Sequence, residues 1–178
     1  MKRRIASLFG MAAFVVLYGA IAASILQSPW FNWVDSALSD LGNLNHSSVM
    51  LYNVGLMTSG LMVIIYSLIG MREHAPRSSY FLAFTGFSMQ LVALICENYG
   101  RMHFNVSVLL FVMLLIASLA YFWEKRDYLA LLVLLAVPLW VLHFQKVLVP
   151  GAAIPEIVSS FVVLPWVVKS SIKAYKGE

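Results

Sequence analysis

Residues 35–46 read DSALSDLGNLNH, the one long run in the chain that is neither apolar nor a basic connector. The residues around it set its meaning. Before it lies an apolar run, about residues 5–26, that opens after Lys2-Arg3-Arg4 and closes at Ser28-Pro29. Then come Trp30, Phe31 and Trp33, amphipathic rings of the kind that gather at headgroup level. Within the run, Val34, Leu38 and Leu41 recur at i, i+4 and i+7, with Ser36, Asp40 and Asn43 on another face. That spacing predicts a short amphipathic helix lying on a membrane interface. Gly42 is its predicted stop, in the left-handed conformation glycine tolerates.

Composition supports a lipid solvent for the remainder. The 178 residues are 61% hydrophobic and 11% charged, against roughly 25% charged in a soluble domain. A bilayer core of about 30 Å needs about 20 apolar residues per helix. Residues 1–178 therefore predict one integral membrane domain, an all-α bundle of six transmembrane helices at about 5–26, 48–70, 78–96, 104–123, 128–145 and 156–172. Ala20-Ile21-Ala22 resembles a signal-cleavage pattern, but the apolar run is longer than a signal core and reads as a retained span. Pro138 is expected to kink the fifth helix, and Pro165 lies inside the sixth. Tyr52, Gly55, Ser59 and Tyr66 form a stripe on the second helix whose small members admit a close neighbour.

With six spans, ten of the twelve Lys and Arg residues fall on the side of the termini; only Arg101 and Lys146 fall on the other. The positive-inside rule then predicts cytoplasmic termini in a cell-membrane protein. The net charge of +4 is a topology signal and implies no nucleic-acid partner. Cys96 is the sole cysteine, which excludes an internal disulfide and a cysteine metal cage.

The acidic residues divide evenly. Glu73, Glu124, Asp127 and Glu178 sit among basic neighbours and read as solvated connectors; Asp35, Asp40, Glu97 and Glu156 lie on the outer face. His46, His103 and His143 share that face. Asp40, Glu97 and His103 are the candidate catalytic residues, since a carboxylate and an imidazole in one pocket can exchange protons. Ser39, Asn43, Arg101 and Glu156 are candidate substrate-binding residues. Each has a plainer reading: Glu156 as a helix-start carboxylate, Glu97 as a clip to Arg101, Asp40 as an orienting group for the interfacial helix, and His143 as a helix end. Neither an HxxxH nor an HExxH pattern is present, so no metal or other cofactor is implied; Ser39 and Ser47 flank the site as candidate nucleophiles, without a GxSxG pattern around either.

Ser39-Asp40-Leu41-Gly42-Asn43 precedes the helix YNVGLMTSGLMVI, and Glu97 precedes His103 in ENYGRMHFNVSVLLFV. Together these resemble domain of unknown function 998, a family of small six-helix membrane proteins. Its typical pattern has S-x-L-G after helix 1, an acidic or proline-containing end to helix 3 and a histidine opening helix 4. That resemblance implies the fold and no activity. A weaker similarity, through Ser39, Asp40, Gly42 and His103 alone, runs to the Frag1/DRAM/Sfk1 membrane proteins, some of whose relatives act in lipid remodelling or organisation. The expectation is a membrane protein, with membrane lipids as partners, whose outer polar site binds or processes a lipid head group. Two alternatives stand beside it: a non-catalytic assembly or lipid-organising protein, and a small transporter or proton relay. Whether the chain is an enzyme stays open at this point.

Overall fold

A computed structural model describes residues 2–177, all of them in helices or in the links between helices. Six helical stretches follow one another: α1 (Lys2–Leu26), α2 (Val49–Met71), α3 (Pro76–Leu94), α4 (Arg101–Lys125), α5 (Tyr128–Phe144) and α6 (Ala153–Lys176). Four have the length and apolarity to cross a membrane, α1, α2, α4 and α6, with mean hydropathies of 2.1, 1.9, 2.4 and 1.4.

The other two reach a similar length by different routes. α3 has 19 residues and, at 1.5 Å per residue, spans about 28 Å. α5 is shorter in sequence but is wound as a 3-10 helix over Tyr128–Leu135 before becoming α-helical over Ala136–Phe144. The 3-10 winding rises about 2.0 Å per residue, so α5 spans about 30 Å, the thickness of a hydrocarbon core. Pro138 lies just past the change of winding, where its missing N–H removes one α-helical bond. In α6 the helix opens at Val162 and Val163, and Pro165 begins the second half, Leu164–Lys176. The proline cannot donate to the carbonyl one turn earlier, so the break falls just before it.

Consecutive helices pack side by side from α1 to α4; α5 leans on α4, and the second half of α6 returns to α1. At the crossing of α2 and α3 the two backbones meet glycine to glycine. A Cβ on Gly60 would sit 2.6 Å from the Gly86 carbonyl oxygen, and one on Gly86 equally close to the Gly60 carbonyl. The α2 stripe faces inward: Tyr52, Gly55, Ser59 and Tyr66 are all buried. Ser59 Oγ donates to the Ala13 carbonyl of α1 at 2.9 Å, the kind of interhelical bond that replaces a hydrophobic driving force in lipid.

The bundle has two polar ends. At the end holding the termini, Arg3 pairs with Glu73, and Lys169 pairs with Asp127 at 2.7 Å. Two carboxylates here depart from the solvated role expected of them. Asp127 is buried, and Glu124 receives the backbone N–H groups of Arg77 and Ser78 at 3.0 and 2.8 Å. The first N–H groups of α3 have no partner within the helix, and Glu124 supplies one. Beneath them, Tyr66, Tyr121, Ala117, Trp166 and Val167 form a packed core.

The opposite end carries the 35–46 run. Its helix is shorter than expected, a single 3-10 segment over Leu38–Gly42. Leu38 and Leu41 are buried as their spacing requires, but Val34 is 45% exposed. The chain before Leu38 follows a turn built on Asn32, so the helical period does not extend back to Val34. Gly42 also has another role than the predicted left-handed stop. The left-handed-side glycines among the described residues are Gly100 and Gly177. The 3-10 segment ends at Asn43 in extended conformation, and Gly42 lets Asn53 and Tyr52 approach to where a Cβ would stand, 2.4 and 2.9 Å away.

Gly60→Val should therefore lower thermal stability in detergent by about 1–3 kcal/mol through overpacking. Gly19→Ala, where no atom lies within 4 Å of the added carbon, should leave it unchanged or raise it by up to about 1 kcal/mol through helix propensity. Melting of the two variants beside the wild type checks the contrast.

Candidate functional site at the end opposite the termini

The site is assembled from the 35–46 run outward. Asn32 begins it: its side chain accepts from the Val34 N–H at 2.8 Å and donates to Asp35 at 2.8 Å. This accounts for Asp35 as an exposed turn residue. The next residues zip to the link before α6, with Gly151 N–H donating to the Val34 carbonyl at 2.8 Å and Ala153 N–H to the Ser36 carbonyl at 3.0 Å. Only glycine fits at 151, because a Cβ there would stand 2.3 Å from the Ser36 carbonyl oxygen.

Two carboxylates then hold the start of the 3-10 segment. Glu156 Oε2, from the first turn of α6, accepts from the Leu38 N–H at 2.6 Å, and Asp40 Oδ2 accepts from the Ala37 N–H at 2.8 Å. On the α2 side, Ser48 Oγ donates to the Leu41 carbonyl at 2.9 Å and Asn53 to the Gly42 carbonyl at 3.0 Å. On the α3–α4 side, Asn43 Nδ2 donates to Glu97 Oε2 at 2.8 Å. Asn98 donates to Asn43 at 3.1 Å and accepts from the Leu44 N–H at 2.7 Å. The run is thereby tied to three parts of the bundle.

Asp40 and Glu97 are near enough to interact through hydrogen bonding as well as charge. Burial first, and the repulsion of Glu97 after it, raise the Asp40 carboxyl above its ordinary range, against the lowering effect of the Ala37 N–H. His103, in the first turn of α4, is buried. Its Nδ1 lies 2.7 Å from the Ile95 carbonyl, which makes Nδ1 the protonated nitrogen, and its Nε2 lies 3.3 Å from Ser107 Oγ. An imidazole held in one tautomer with the other nitrogen toward a hydroxyl is oriented for proton exchange.

These groups share a cavity. A space of about 590 Å³ between α4, α5 and α6 has Ser39, Asp40, Glu97, His103 and Glu156 at its polar end. The rest of its wall is apolar, and Val108, Val112 and Val137 on that wall are each more than a third exposed. The cavity therefore opens sideways between α4 and α5. A smaller cavity, about 110 Å³, runs through the middle of the bundle toward Tyr66 and shares Ser39, Ser107, Phe111, Leu114 and Glu156 with the first.

Of the seven residues singled out from the sequence, five line the lateral cavity. Asn43 reaches it indirectly through Glu97, and Arg101 is exposed and outside the lining. The clip expected between Glu97 and Arg101 is not formed; the ion pairs among the described residues are those at the other end, and Glu97 is held by Asn43 instead. His46 stacks on Trp30 with ring centroids 4.1 Å apart, away from the lining. His143 belongs to the cavity wall, with its Nδ1 buried and without a hydrogen-bond partner. Its neighbour Trp140 also lines the space and donates to Ser159 at 2.9 Å. The spacing of Trp140, His143 and Phe144 on one side of α5 is the sequence signal for this wall. Among the described residues, no three His, Cys, Asp or Glu side chains are arranged to hold a metal ion.

An all-helical bundle of apolar helices with a recessed polar end is the architecture of a membrane protein. Residues 11–172 match the family model described as Protein of unknown function (DUF998), and the chain belongs to that family. No match was found among curated proteins or among solved structures.

Gly151→Ala should unzip the 34–36 segment from the link before α6. Limited proteolysis of the folded variant should cut between residues 27 and 48 faster than in the wild type, while the helical signal in circular dichroism is kept.

Proposed function

We propose that this chain is a multi-pass protein of the cell membrane, with both termini in the cytoplasm, that binds a single lipid from the outer leaflet in the lateral cavity. The observation that carries this reading is the form of that cavity. It is apolar along α4 and α5, open sideways, and polar only at the end where Asp40, Glu97, His103 and Glu156 meet. An acyl chain suits the wall, and the head group reaches the carboxylates and the imidazole at the level of the 3-10 segment. A site of several hundred Å³ that is mostly apolar with a few convergent polar groups is the usual form of a small-molecule pocket.

The orientation follows from charge. Ten of the twelve Lys and Arg residues lie at the end of the termini, and the positive-inside rule places that end in the cytoplasm. The polar site then faces outward. Charged groups recessed among helices are costly unless they have work or partners, and a lipid head group supplies a partner.

A scaffolding role is the second reading. It is favoured by the capping contacts of Glu156 and Asp40 and by the Asn43–Glu97 bond, which hold the 3-10 segment in place. A proton relay is less well supported, since the half of the bundle near the termini is filled by the packed core around Tyr66, Tyr121 and Trp166.

Native mass spectrometry of the chain extracted in mild detergent tests the lipid reading. The wild type should retain one lipid, and Val137→Trp, which places an indole in the mouth of the cavity, should lose most of it while melting normally. Equal retention by both proteins would leave only the scaffolding reading. For orientation, Asn45→Cys and Arg72→Cys on a Cys96→Ala background should label oppositely with a membrane-impermeant maleimide on intact cells, the first reacting and the second reacting only after lysis.

A further inference from the structure

We propose that the lipid bound at this site is an aminolipid, its head group ending in a protonated primary amine that sits among Asp40, Glu97 and Glu156. The inference rests on the lipid-binding reading above and adds the charge and hydrogen-bonding character of the head group.

The first support is the sign of the site. Three carboxylates line the polar end of the cavity, and no Lys or Arg is among the lining residues. The ion pairs of the described residues are at the other end of the bundle. Arg101 is exposed and stands outside the lining. An anionic head group would find no cation here to pair with, whereas a protonated amine supplies the partner these carboxyl groups lack.

The second support is the direction of the hydrogen bonds. The protein's own donors engage Oδ2 of Asp40 and Oε2 of both Glu97 and Glu156. A carboxylate oxygen has two lone pairs for donors. Oδ1 of Asp40 and Oε1 of Glu97 accept from none of these donors, and a primary ammonium would bring three N–H donors on one small centre. A quaternary ammonium brings the charge without the donors. The unpartnered Nδ1 of His143 is a further polar atom on the same wall.

The third support separates an organic cation from a metal ion. Among the described residues, the carboxylates and histidines are not grouped in threes at ligand spacing, so no small-ion cage is formed from them. The apolar wall of Val108, Val112 and Val137 continues from the polar end and matches a group carried on an acyl chain.

The test uses the full chain in non-ionic detergent with three lipids of identical lauroyl tails and phosphoethanolamine, phosphocholine or phosphoglycerol heads. Binding is read by native mass spectrometry and, for brominated versions, by quenching that is lost in Trp140→Phe. The wild type should bind the phosphoethanolamine lipid about ten-fold more tightly than the phosphoglycerol lipid, with phosphocholine between them. Glu97→Gln should bring the two extremes close to parity while phosphoglycerol binding persists; Asp40→Asn serves if that variant melts early. Equal binding of all three lipids by the wild type, or a preference for phosphoglycerol, would overturn the amine proposal and leave lipid binding standing. A well-folded wild type that binds none of them would overturn both.

Discussion

The bond from the Leu38 N–H to Glu156 joins two distant parts of the chain at the end of the bundle opposite the termini. Glu156 begins α6, and Leu38 begins the 3-10 segment 118 residues earlier. With the bond made, the segment lies across the mouth of the bundle and its buried leucines face the core. The same carboxylate lines both cavities. A half-buried carboxylate needs donors, and an unpaired helix start needs an acceptor. Each need here is met by the other, which explains why a costly group persists at this depth.

The surrounding contacts preserve that arrangement. Gly151 allows the backbone of the link before α6 to lie against Ser36, and the two backbone bonds beside it align Glu156 with Leu38. From the other side, Asn43 and Asn98 draw Glu97 toward the segment. Gly100, with φ of 52°, turns the chain sharply enough that α4 begins at once and His103 falls in its first turn. Proximity of Asp40 to Glu97 is thus a result of contacts made from both sides.

Much of the fold was legible residue by residue. The apolar runs, the inward stripe of α2 and the burial of Leu38 and Leu41 follow from local spacing. The departures are also local in origin. The helical period places Val34 on the amphipathic face, but that stretch is held as a turn by Asn32. A glycine at 42 suggests a left-handed turn, whereas here the missing Cβ is used for close approach. The basic neighbours of Glu124 and Asp127 suggest solvated groups, but their partners, the α3 start and Lys169, come from distant parts of the chain.

The sequence by itself determined the apolar character of the helices, the concentration of basic residues at one end and the short set of polar residues at the other. Those properties depend on composition and on period along one helix. Only the tertiary structure decided that Asp40, Glu97, His103 and Glu156 face a single cavity, that Arg101 stands apart from it, and that His143 belongs to its wall. Convergence depends on how far each helix is rotated and shifted against the next, and that is set by contacts such as Gly60 against Gly86 and by the lengthening of α5 through its 3-10 half. No periodicity within one helix contains that information.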